Sequence, residues 1–300
     1  MNKLIEFIFA PGFFQSTEVM NALTAGVVTA AVSGIVGVFV ILRGQSFASH
    51  AVSDFGGTGA AAAFLLGINS LWGFIGFGTA AAVCMEFLGN RFKERDLATG
   101  IVLSVALGVE ALFLYFDTNL TGKANAPMTV LFGSVFLVDR FTIHMVILIT
   151  AIIIIIFLAI YRPLLMCSID YSMAFVRGIK VSMINFIFII LMSLVVEEDS
   201  IIVGALLSTA LVIGPAAAAI RITDNIKTAM LISAVLGSVS IILGVILSYD
   251  SYHWPPFGRG WPVSFFVSVI ILGFYLVVRF YKEFLKPIAS KHRGVVAHYE

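Results

Sequence analysis

The stretch MNALTAGVVTAAVSGIVGVFVIL, residues 20–42, runs through 23 positions without a charged side chain. A helix of that length rises far enough to cross a hydrocarbon layer about 30 Å thick. Comparable apolar stretches recur at 51–66, 70–89, 97–116, 141–161, 182–197, 201–220, 227–249 and 262–281, divided by short charged or Gly/Pro-containing segments. The chain is 60% hydrophobic and 12% charged, whereas soluble domains carry about 25% charged residues. Outer-membrane strands alternate apolar and polar side chains over about ten residues, which this pattern does not do. The expected fold is all-α, a polytopic transmembrane helical bundle of eight or nine spans. The count stays open because 51–66 is short. The segment ANAPMTVLFGSVFLV, 124–138, is shorter still, with Pro127 near its start and Gly133 inside it, and reads as a re-entrant or interfacial piece.

Basic residues fix the orientation. Arg43, the group Arg91, Lys93 and Arg95, the group Arg162, Arg177 and Lys180, the pair Arg221 and Lys227, and the C-terminal cluster from Arg279 to Arg293 follow alternate spans. The intervening loops DTNLTGK, EEDS and DSYHWPPFGRG hold one, none and one. The positive-inside rule places the first set, and the C-terminus, in the cytoplasm, with Trp254 and Trp261 at the outer interface. Arg140 dissents. Three parts follow: an interfacial lead-in over 1–19 with no cleaved targeting segment expected, a membrane domain over 20–281, and a cytoplasmic tail over 282–300. The net charge of +1 is scattered and gives no nucleic-acid footprint. Cys84 and Cys167 form no ligand-spaced pattern.

Small residues mark close helix contacts. Gly56, Gly57, Gly59, Ala60 and Ala63, then Gly73, Gly76 and Gly78, allow backbones to approach inside lipid. Gly214 and Pro215 interrupt LVIGPAAAA and predict a kink, either for packing or at a gate.

Polar residues inside apolar runs need a reason. On a helix, His50 and Asp54 in SFASHAVSDFGG stand at i and i+4 on one face. An imidazole nitrogen and a carboxylate oxygen make half a shell for zinc, manganese or ferrous iron, and the same spacing suits a hydrogen-bonded packing pair. Ser46, Ser49 and Ser53 add polarity beside them. Glu110, within SVALGVEALFLYF, must face protein or an aqueous route, completing a His/Asp/Glu shell or packing as a neutral group. Glu86 can reach the interface and His144 reads as a packing residue. Glu197, Glu198 and Asp199 read as a solvated outer turn, or as an acidic patch that attracts cations. No HExxH, catalytic triad spacing or GxxxxGK[ST] loop is present, so no enzyme is indicated and any pumping must use ion coupling or a separate ATPase. The polar segment 162–182 holds a predicted short helix from Asp170 to Val176 with Gly178 after it, either a connector or a docking element.

In these residues the chain resembles the integral membrane permeases of the ATP-binding-cassette importers for zinc, manganese and iron. The resemblance runs from about residue 15 to 281 and is carried by ILRGQSFASHAVSDFGGTGAAAAFLLG, KERDLATGIVLSVAL, LFGSVFLVD, YRPLLMCSIDYSMAFVRGI and GALLSTALVIGPAAAAIRIT, in that order. It implies a subunit of the cytoplasmic membrane of a prokaryote, with no permanently bound cofactor. The implied partners are two cytoplasmic ATPase subunits that use ATP, a second permease chain in a homodimer or related pair, and an extracytoplasmic metal-binding protein. It implies alternating access for the transported cation, with Asp170 and Gly178 in the segment that couples to the ATPase. Family members carry an aspartate and then a histidine four residues later; here His50 takes the aspartate place and Asp54 the histidine place. Glu110 is not carried over from the family. The rival readings are an ion-coupled secondary metal transporter and a non-transport receptor or scaffold.

Overall fold

The computed structural model describes residues 13–88, 92–120, 122, 125–133, 139–255 and 260–285, and among them there are helices and turns but no strand. A 3-10 turn at Phe13–Gln15 leads into α1, Thr17–Leu42, whose first turn is capped by the Ser16 hydroxyl accepting from the Val19 amide at 3.3 Å. Then come α2 (Ser46–Leu66), α3 (Ser70–Leu88), α4 (Phe92–Asn119) and the short α5 (Ala126–Phe132). Helix α6 (Arg140–Ile169) is followed by a single-turn α7 (Tyr171–Val176), α8 (Val181–Val203), α9 (Ala205–Ile222), α10 (Ile226–Asp250) and α11 (Val263–Phe280).

Seven of these are long and apolar enough to cross a membrane, fewer than the eight or nine spans expected: α1, α3, α4, α6, α9, α10 and α11. The other two long helices, α2 and α8, hold His50, Asp54 and the acidic triplet, and most of their residues are buried inside the bundle. Of 124–138, expected as a re-entrant or interfacial piece, the structure describes the short α5, while 124 and 134–138 lie outside the described residues. Helix α6 runs through Pro163 to Ile169, so the polar segment expected to begin at 162 starts as helix.

Lipid does not drive apolar side chains together, so close packing of small residues must hold such a bundle. Helices α2 and α3 cross where a Cβ on Gly59 would stand 2.2 Å from the Gly73 carbonyl oxygen, and the converse is equally true. The expected close approach is met there; Gly76 has nothing within 4 Å, and Gly56 and Gly78 serve a side chain described below. Helix α9 continues through Gly214 and Pro215, and Gly214 is where Ile271 of α11 presses in. Around Phe39 the rings of Phe157 and Tyr161 meet edge to face at 5.5 and 6.0 Å. At one end of the bundle Arg43 bonds Ser168 and Asn185 and lies over the Phe188 ring, tying α1, α6 and α8 together.

The outer surface is apolar. Ile147, Leu148, Ile152, Ile155 and Leu158 of α6, and Val269, Leu272, Leu276 and Val277 of α11, are exposed. Surfaces of this extent suit acyl chains and would aggregate in water.

Candidate functional site

Helix α2 carries the sequence-derived pair. His50 Nε2 lies 3.7 Å from Asp54 Oδ2, as the one-turn spacing requires. The histidine side chain is 42% exposed and the aspartate side chain 4%, so the pair has an open end and a sealed end. His50 Nδ1 faces the Thr209 hydroxyl of α9 at 3.5 Å.

Deeper along the same face, α4 supplies Glu110. The Thr58 hydroxyl donates to the Asp54 and Ala106 carbonyls, both at 3.1 Å, which pins α4 against α2 one turn from Glu110. A Cβ on Gly57 would be 2.8 Å from Glu110 Oε1, so the glycine makes room for the carboxyl. Glu110 is buried and that oxygen has no hydrogen-bond partner. His50, Asp54 and the Gly56–Gly57 notch climb about 10 Å of helix, at 1.5 Å per residue.

The acidic triplet corrects the reading of a solvated outer turn. Glu197, Glu198 and Asp199 lie within α8 and are buried, because the chain breaks only at Gly204, whose φ of +94° ends the helix. Successive helical positions point about 100° apart, so the three acids leave α8 in three directions. Glu198 accepts from the Thr150 hydroxyl of α6 at 2.9 Å, and Asp199 from the Ser33 hydroxyl of α1 at 2.6 Å. Glu197 points into α2 and α3, its carboxylate lodged against Gly56 and Gly78. Sequence reasoning missed it; the absence of Gly or Pro within EEDS and the paired glycines facing it were the available signals. Ser53 belongs to a buried junction, bonded to Ser200, Ser208 and the Ala205 carbonyl. His144 bonds the Arg140 carbonyl within its own helix.

Among the described residues no three His, Cys, Asp or Glu side chains converge as one metal shell. The arrangement offers two-point contact at His50 and Asp54, with carboxyls beyond. Such contact suits a passing cation better than a closed structural site, which takes four ligands.

The segment after α6 is built as the sequence suggests. Asp170 Oδ1 accepts from the Met173 amide at 3.0 Å and caps α7, and Gly178, at φ +78°, turns the chain into α8. Ala174 is buried while Tyr171, Met173, Phe175 and Val176 are exposed.

Comparison with known proteins gives a consistent result. Residues 15–258 match the ABC 3 transport family. The chain is 31% identical over 243 residues to the manganese transport system membrane protein MntC of Listeria monocytogenes, covering 81% of this chain and 85% of that one. It is also 31% identical to the manganese import system permease protein ScaB of Streptococcus gordonii, covering 81% and 86%. Among solved structures, PsaBC from Streptococcus pneumoniae in complex with Fab superposes with a TM-score of 0.79 at 26% identity, covering 94% of this chain and 99% of that one.

Proposed function

Because the chain belongs to the ABC 3 transport family, we propose that it is the permease subunit of an ATP-driven importer that carries a divalent transition-metal cation across the cytoplasmic membrane. Manganese is the first choice of cargo, since the relatives are named for it, and zinc and ferrous iron share its nitrogen and oxygen ligand chemistry. The observation that carries the reading is the half-open His50–Asp54 pair inside a bundle of this family. ATP hydrolysis is assigned to separate subunits, and a second permease chain and an extracytoplasmic metal-binding protein complete the assembly.

The residues divide the work. His50 meets the ion at the open end and exchanges one of its waters for an imidazole nitrogen. Asp54 neutralises charge in a region where an isolated ion is costly. Two protein contacts hold the ion weakly enough for release. Capped by Asp170 and turned by Gly178, α7 offers Tyr171, Met173, Phe175 and Val176 to a cleft in the ATPase, so nucleotide-driven closure pulls on α6 and α8 together.

Uptake of manganese, zinc and ferrous iron by reconstituted complexes, with and without the ATPase, tests this reading. ATP-dependent uptake of at least one ion, lost without the ATPase, is expected. Uptake that persists without the ATPase and follows a proton or sodium gradient would instead establish a secondary transporter.

A further inference from the structure

Three consecutive acids on α8 have unequal surroundings. Glu198 and Asp199 each receive a hydroxyl donor, from Thr150 and Ser33. Glu197 is fully buried, and neither of its carboxylate oxygens has a hydrogen-bond partner. The fold nevertheless makes space for it: a Cβ on Gly56 would stand 1.8 Å from Oε2, and one on Gly78 would stand 1.8 Å from Oε1. Two helices thus give up side chains to admit one carboxyl.

A buried carboxyl needs a partner in either protonation state. Ionised, it requires donors or a cation; neutral, its hydroxyl requires an acceptor. Among the described residues no donor reaches either oxygen. A cation is the partner that would satisfy the ionised carboxylate.

We propose that Glu197 is a cation ligand, a second, carboxylate station in the notch between Gly56 and Gly78, beyond the His50–Asp54 pair. Since among the described residues no three such groups close on one point, the ion is handed on and not caged. Glu110, with its own unpartnered Oε1 against Gly57, flanks the same notch. Oxygen-only ligation favours manganese, whereas imidazole also suits zinc, so this station biases the cargo toward the harder ion. The inference rests on the permease reading above.

The test is ATP-driven Mn2+ and Zn2+ uptake by complexes reconstituted with their ATPase, comparing wild type, Glu197→Gln, Glu197→Asp and Glu198→Gln. Glu197→Gln should lower Mn2+ uptake at least about tenfold and Zn2+ uptake less, Glu197→Asp should restore part of the loss, and Glu198→Gln should stay within about threefold of wild type. Equal Mn2+ uptake by wild type and Glu197→Gln overturns the station while leaving the permease reading intact. A wild type that moves neither ion overturns both. Should Glu197→Gln fail to assemble, anomalous scattering from Mn2+-soaked wild-type complex decides. A peak on the Glu197 carboxylate supports the station, and one confined to His50 and Asp54 rejects it.

Discussion

Helices α2 and α6 follow opposite rules. The most apolar window of α6 has a mean hydropathy of 3.2, yet only 28% of that window is buried. Helix α2 is a run of serines, glycines and alanines with one histidine and one aspartate, and it is buried along most of its length. In a soluble protein the more apolar helix would lie deeper. In lipid, bulk apolar side chains find no better partner inside than outside, so small size and polarity mark the interior.

Substitutions on the two helices test that contrast. Asp54→Ala should have the largest effect, cutting ATP-driven metal uptake at least about tenfold in complexes that still assemble and hydrolyse ATP; preserved uptake would make α2 mere packing. Next comes Gly56→Ala, which drives a methyl into the Glu197 carboxyl and should cost about 3 kcal/mol, read as a lower unfolding midpoint in detergent. Gly76→Ala, which meets nothing within 4 Å, should leave that midpoint in place and is its control. On the buried side of α6, Thr150→Val removes the donor to Glu198 and should cost about 1–2 kcal/mol. Smallest is Ile155→Val on the exposed side of α6, expected to change stability by less than about 0.5 kcal/mol. A large loss there would mean that this face is covered by protein.

Much of this was legible in the sequence because it is local. Apolar run length gave the helices, and one-turn spacing put His50 and Asp54 on one face. The capping Asp170 and the turn at Gly178 likewise act within a few residues. Glu110 could be read only as needing a protein neighbour; that this neighbour is the Gly57 notch depends on how α4 packs on α2. Three adjacent charges at 197–199 imitate a loop, and the span break was therefore placed ahead of its true position at Gly204. What overrides the local signal there is tertiary. Hydroxyls on α1 and α6 reach Asp199 and Glu198, and glycines on α2 and α3 leave room for Glu197. None of those partners lies within 40 residues of the triplet in sequence.

The most direct test of the central claim is radioactive manganese uptake into proteoliposomes holding the complete complex, with ATP hydrolysis followed in the same vesicles. Wild type should accumulate the ion only while ATP is consumed, and Asp54→Ala should hydrolyse ATP yet accumulate almost none. Equal accumulation by the two would contradict a route through α2.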